Sequence, residues 1–376
     1  MLTWFSPTYP LDLIYNILNL STVIFIIIFF GIKYKINKSL FILLIVTTLT
    51  PLLINGPLMP WWALSDQNLY LSETMKLRNF EFDDLDIRTS INFPTYIFAL
   101  SPIPFIENFN SIGLANRLIF SMLIIFLARK KMNRYFVYYL LLSPTLLLYS
   151  STALKETVVI STALLALYCL IEKRYILFWF PFLILLYSKP QNGMILFMMY
   201  IIYIYIFSIK FKFKISLNVC LCGASLIWLF FFSSDFIEQI NSFSQSFLLE
   251  SNVQGANNPP HQDYENFSNI ISRLPQRLII LYLSPFPELT SPVKIIIFFE
   301  NLLIISVITI LFYKLYRKNL NKFLYWFISF ITFSSMYALT VINHGTLSRY
   351  KISFMIPFLF ILFYLNKKKR TNNKNG

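Results

Sequence analysis

Charge is scarce in this chain: only 13% of its 376 residues are Asp, Glu, Lys or Arg, while 57% are hydrophobic and 18% aromatic. A soluble domain needs a charged surface that this composition cannot supply, so the soluble class is excluded first. Cysteine is nearly absent. The three present, Cys169, Cys220 and Cys222, fall within or beside apolar runs, which excludes a disulfide framework and a zinc site and leaves them as small buried hydrophobes. Histidine is limited to His261, in a Pro/Asn-rich loop, and His344 near the C-terminal end, a poor basis for acyl transfer built on a histidine. Acids are outnumbered, 17 against 32 basic residues, for a net charge of +15. The bases arrive in short clusters between apolar runs rather than as a patch on a soluble face, so no nucleic-acid partner is expected. A basic n-region leading to a small-residue cleavage site is missing too, and the first apolar run is read as a retained helix.

What is present is a succession of apolar runs, with a mean hydropathy of +0.62, interrupted by those basic clusters. The expected fold is all-α: one polytopic integral membrane domain of about eleven transmembrane helices. Leu11–Ile32 is closed by Lys33, Lys35 and Lys38; Ser39–Leu58 returns through Pro51 and Pro57. Residues Met59–Asn92 form a first large outer loop, rich in acids and edged by Trp61 and Trp62, and Ser233–Ser291 a second. Phe93–Phe109, with Pro94, Pro102 and Pro104, is too short for a comfortable crossing and is read as re-entrant or interfacial. The runs Gly113–Ala128, Tyr135–Ser151, Thr157–Ile171, Tyr175–Tyr187, Met194–Ile209 and Ile215–Phe232 then alternate, followed by Pro292–Tyr313, Phe323–Ile342 and Ile352–Leu365. The clusters beginning at Lys33, Arg129, Lys173, Lys210, Lys314 and Lys367 hold most of the basic residues beside one acid, Glu172. Short loops biased in this way face the cytoplasm, which puts the N-terminus outside and the C-terminus inside.

The stretch Ser143–Glu156, SPTLLLYSSTALKE, leaves an apolar run through a proline and ends in the adjacent pair Lys155–Glu156. Ionisable groups at such a depth are costly, and they are read as functional or as the anchor of an interfacial turn. On the same outer side lie Asp66, Lys189, Arg273, Arg277, His344 and Arg349. Cations at the rim of a helical bundle beside carboxylates suit an anionic lipid-linked phosphate. Lys155, Lys189, Arg273, Arg277 and Arg349 are therefore the candidate pyrophosphate ligands. Asp66, Glu156 and His344 are the candidate bases for an acceptor hydroxyl, and Tyr70 is a candidate surface for a sugar ring. No metal site and no cofactor are expected.

Several short stretches carry a resemblance: Ser65-Asp66-Gln67 with Tyr70, Asn116-Arg117-Leu118, Ser143-Pro144 with Tyr149-Ser150-Ser151 and Leu154-Lys155-Glu156, Lys189-Pro190-Gln191-Asn192-Gly193, and Ser348-Arg349-Tyr350. Together they look like polytopic bacterial polysaccharide-biosynthesis proteins, a group that includes O-antigen and capsule repeat-unit polymerases of the Wzy type and related GT-C-like membrane glycosyltransferases. The resemblance implies undecaprenyl-pyrophosphate-linked oligosaccharide as substrate, a site at the outer face of the inner membrane, no nucleotide sugar, and a chain-length regulator as partner. The chain departs from the pattern in two places: Asp66 stands without a tight Asp-x-Asp, and the second loop is shorter and less rich in arginine.

The leading expectation is joining of lipid-linked repeat units into a lipopolysaccharide or capsule polymer. A GT-C transferase using a single-sugar polyprenyl-phosphate donor is the nearest alternative, with Asp66 catalytic. A lipid-linked oligosaccharide flippase is a third, disfavoured because the charges gather at one face and no internal repeat is visible. Orientation is testable by itself: alkaline phosphatase fused near Asp84 is expected to be active and a fusion within Lys210–Lys214 inactive, and an inactive Asp84 fusion overturns the topology.

Overall fold

The computed structural model describes residues 9–55, 58, 66–82, 85–86, 88–208, 237–242, 244–245, 263–287, 292–341 and 344–367. The expected span Ile215–Phe232, much of the second loop, and Trp61 and Trp62 lie outside the described residues. Those described are helical, with no β-strand among them. The helices are α1 Tyr9–Lys33, α2 Lys38–Thr47, α3 Thr50–Ile54, α4 Asp66–Arg78, α5 Thr89–Ala99, α6 Phe109–Arg129, α7 Arg134–Leu142, α8 Pro144–Tyr149, α9 Glu156–Ile171, α10 Tyr175–Ser188, α11 Pro190–Ser208, α12 Phe267–Leu283, α13 Pro292–Lys318, α14 Leu320–Thr340 and α15 His344–Lys367.

Among the described residues, four helices are long and apolar enough to cross a membrane: Asp12–Lys33, Phe109–Arg129, Pro292–Lys318 and Leu320–Thr340. Several others are apolar but shorter, among them Glu156–Ile171 and Tyr175–Ser188. At about 1.5 Å rise per residue, a helix such as α9 falls short of the roughly 30 Å hydrocarbon core. The set is compatible with a multi-pass membrane protein, and eleven crossings are not established by it.

Two expected spans are broken, each for a local chemical reason. Within Ser39–Leu58 the helix stops after Thr47. Thr47 and Thr48 turn their hydroxyls back onto the Leu43 and Leu44 carbonyls at 2.8 and 2.7 Å, and Pro51 sits in the first turn of α3. Within Tyr135–Ser151 the break falls at Ser143–Pro144, where Ser143 Oγ accepts from Leu146 N–H at 3.2 Å and the proline opens α8. Two other differences run the opposite way. Helix α4 lies inside the expected polar loop; it is polar nearly all round, and its packing against α5 holds it. The stretch left as a turn between the expected runs Phe323–Ile342 and Ile352–Leu365 is helical from His344 onward, with no proline there to stop it.

The chain packs as two compact units, residues 1–194 with 359–376, and residues 195–358. In the first, α6 is the inner helix: 78% of its apolar window is buried, against 17% for α1, which packs on it. The proline-rich segment after α5 is irregular, and its backbone is held from two sides. Asn19 of α1, wholly buried, donates to the Phe105 carbonyl at 2.6 Å and accepts from Phe105 N–H at 3.1 Å. From α4, Arg78 donates to the carbonyls of Ala99, Ser101, Ile103 and Pro104 at 3.1, 2.8, 2.7 and 3.2 Å. Irregular backbone beside hydrocarbon is tolerable only where its polar groups find such partners.

The loop after α4 is tied down by Glu73, buried in α4, which accepts from Lys76 Nζ at 2.9 Å and from Asp86 N–H at 2.8 Å. Asp86 pairs with Arg88 at 2.7 Å. The hydrogen bonds from Arg88 draw the Asp86 carboxyl down to about 2, so whatever the pair contributes is fully present above the ordinary carboxylate range and is lost as pH falls through about 2.

In the second unit α12 packs on α13 and α14, and an apolar cavity of about 520 Å³ lies among their aromatic side chains, including Tyr282, Phe312, Phe327 and Phe330. Arg78→Ala strands the carbonyls of the proline-rich segment and is expected to lower the unfolding free energy in detergent by about 2 kcal/mol. Arg78→Lys should recover less than half of that, because one ammonium cannot span carbonyls that a planar fork reaches; equal stability of all three proteins counts against the clamp.

Candidate functional site

The site starts from a gap in the helical ladder. Helix α8 ends at Tyr149 and α9 begins at Glu156, so the backbone of Ser150–Lys155 lacks helical partners while being buried throughout except at Lys155. Each exposed carbonyl or N–H there costs free energy unless a side chain meets it. The partners come from several elements. Asn116 Nδ2 of α6 donates to both the Thr152 and Leu154 carbonyls, at 2.7 and 2.8 Å. Asn55, just after α3, donates to the Ser151 carbonyl at 2.9 Å, and Thr50 shares a 2.5 Å hydrogen bond with the Ser151 hydroxyl. Gln67 of α4 accepts from Ala153 N–H at 2.9 Å. Thr152 and Thr157 both donate to the Tyr149 carbonyl at 3.3 Å.

Helix α6 faces this gap with Gly113, Asn116 and Arg117, spaced three and four apart and so on one side of the helix. Gly113 is there for space: a β-carbon would collide with the Ser151 carbonyl. Arg117, wholly buried, donates from Nη1 to Ser150 Oγ at 2.7 Å and lies over the Phe120 ring at 5.6 Å.

Five of the sequence candidates gather around this gap. Lys155, half-buried, donates from Nζ to the Ser90 carbonyl at 3.0 Å, and Glu156, 1% exposed, occupies the first turn of α9, where a carboxylate complements the helix dipole. Lys189 is 3% exposed and is the single residue between α10 and α11. Because α9 and α10 form a tight hairpin closed by residues 172–174, the end of α10 returns to the level where α9 begins. Lys189 therefore shares that end of the hairpin with Lys155 and Glu156. Asp66 opens α4 immediately before Gln67, the residue bonded to Ala153, and its field is felt by Arg88. Tyr70, one turn further on, is 3% exposed.

The remaining candidates belong to the second unit. Arg273 and Arg277 lie four residues apart on α12, both half-buried, and the Arg273 guanidinium sits 5.7 Å from the centre of the buried Tyr264 ring. That ring belongs to a small core with Ile240, Ile270 and Leu339. His344 opens α15, and Arg349, half-buried, stands in its second turn.

Sequence reasoning passed over three residues as members of buried polar sites. Asn116 and Arg117 entered only as part of a short resemblance, although an Asn-Arg pair deep in an apolar run is itself a signal of internal polar partners. Lys351 was taken as the edge of a turn; it is 1% exposed and donates to the Ser284 carbonyl at 2.7 Å, which also accepts from Asn301 at 2.9 Å.

Comparison with family models, with curated proteins and with solved structures finds no match to this chain. The geometry of the gap yields its own test. Asn116→Ala leaves two buried carbonyls unmet and is expected to cost about 2–4 kcal/mol, and Asn116→Asp, which cannot donate when ionised, should behave the same way. With the native cysteines replaced, a Thr152→Cys reporter should label slowly with a thiol reagent beside Asn116 and several-fold faster beside Ala or Asp; equal rates show that the gap does not depend on Asn116.

Proposed function

We propose that the chain is a membrane glycosyltransferase of the polysaccharide-polymerase type, joining undecaprenyl-pyrophosphate-linked oligosaccharide repeat units at the outer face of the bacterial inner membrane. The observation that supports it is the gathering of Lys155, Glu156 and Lys189 at one end of the α9–α10 hairpin, beside a helix gap gripped from α3, α4 and α6. Two ammonium groups and a carboxylate, held largely out of water, suit a reaction in which negative charge develops on a leaving pyrophosphate.

In the proposed step an acceptor hydroxyl of one repeat unit attacks the anomeric carbon of another. The new glycosidic C–O bond forms as the bond to the pyrophosphate oxygen breaks, and that oxygen keeps the electron pair. Lys155 and Lys189 stabilise the charge that appears there, and Glu156 or Asp66 takes the acceptor's proton. The same geometry gives each residue a structural contact, so the test needs readouts for both roles. A strain whose only copy carries Lys155→Ala should lose long polymer from its polysaccharide ladder, with single-unit material left behind and normal protein in the membrane. The loss in rate is expected on the order of a hundredfold, and Lys155→Arg should restore part of the ladder. A normal ladder from the alanine variant refutes the role of Lys155; a truncated repeat unit, instead of a capped complete one, points to single-sugar transfer.

A further inference from the structure

The interior of the first unit contains a charge that no described residue neutralises. Arg117 is wholly buried in α6, where it meets the Ser150 hydroxyl and the face of Phe120. Among the described residues no carboxylate forms an ion pair with it, and its Nε and Nη2 have no hydrogen-bond partner. These two nitrogens form one edge of the guanidinium, with parallel N–H bonds spaced to meet two oxygens of a single oxyanion. A buried cation left in this state is strongly unfavourable. Neighbouring groups on the same helix are also unmet: Asn116 Oδ1, an acceptor, and Ser121 Oγ, both wholly buried.

We propose that the open Nε/Nη2 edge of Arg117 is the seat of a phosphate-class oxyanion bound within the first unit. A carboxylate or chloride would meet the guanidinium but brings no donor for Asn116 Oδ1. A hydrogen phosphate or phosphate monoester carries several acceptor oxygens and an O–H. Ser150 fixes the guanidinium plane from its other edge through Nη1. The proposal stands on the buried guanidinium and is independent of the polymerase reading. Two sources share this chemistry, free phosphate and the headgroup of a polyprenyl monophosphate.

The purified full-length protein in phosphatidylcholine nanodiscs separates them. Melting is followed with inorganic phosphate, with potassium chloride at matched ionic strength, and with polyprenyl monophosphate added to the bilayer. Wild-type protein should gain a saturating rise on the order of 2 °C from one phosphate source and none from chloride. Arg117→Gln should lose that gain, yet melt no lower than wild type when phosphate is absent, because the uncompensated charge is gone. Arg117→Lys should need about tenfold more ligand, since a point charge replaces the fork. A gain from inorganic phosphate identifies the free anion, and a gain confined to the polyprenyl lipid identifies the headgroup. The proposal is overturned if wild type gains nothing, if chloride does as well, if Arg117→Gln gains equally, or if Arg117→Gln melts lower without ligand.

Discussion

A buried peptide carbonyl has no water to turn to, and this constraint organises the first unit. Helices meet it internally, but the chain interrupts its helices at Thr48–Leu49, at Ser143 and at Ser150–Lys155, and runs irregularly after Ala99. The first two are met by local hydroxyls, the last two by polar side chains from other elements. Asn116, Asn55 and Gln67 serve the gap before α9, and Asn19 and Arg78 serve the proline-rich segment. Without these donors and acceptors the gap would close into helix or open to water, and Lys155 and Glu156 would not stand where they do.

The same constraint separates the buried cations by role. Arg78 and Lys351 spend their N–H groups on backbone carbonyls, so each is accounted for by the fold around it. Lys155 is intermediate: it touches the Ser90 carbonyl yet remains half-buried at the end of a hairpin beside Glu156. Arg117 differs from all three, because one edge of its guanidinium meets nothing in the described protein. A charge explained by the fold and a charge that is not look alike in the sequence. Accounting for each donor tells them apart.

The helical class and most of the apolar elements could be read from the sequence, because scarcity of charge and long apolar runs leave few alternatives. Runs such as Phe109–Arg129 and Pro292–Lys318 appear within a few residues of their expected limits. The proline-rich run was read as too short to cross, and there α5 ends at Ala99 and irregular backbone follows. Helix α4 was not legible, since DQNLYLSETMKLR shows no apolar stripe and its packing against α5 is what holds it. The grouping of Lys155, Glu156 and Lys189 was anticipated only as a shared side of the membrane.

What the sequence determined by itself is the helical class and the apolar stretches: apolar length and proline position act through local transfer free energies that need no tertiary information. What only the tertiary structure decided is which polar group answers which. That Asn116 spans the Thr152 and Leu154 carbonyls, that Arg78 gathers four others, and that Arg117 keeps an open edge depend on approaches between residues some twenty to forty positions apart. A hydrogen bond is decided within a few tenths of an ångström, and no periodicity along the chain carries information that fine.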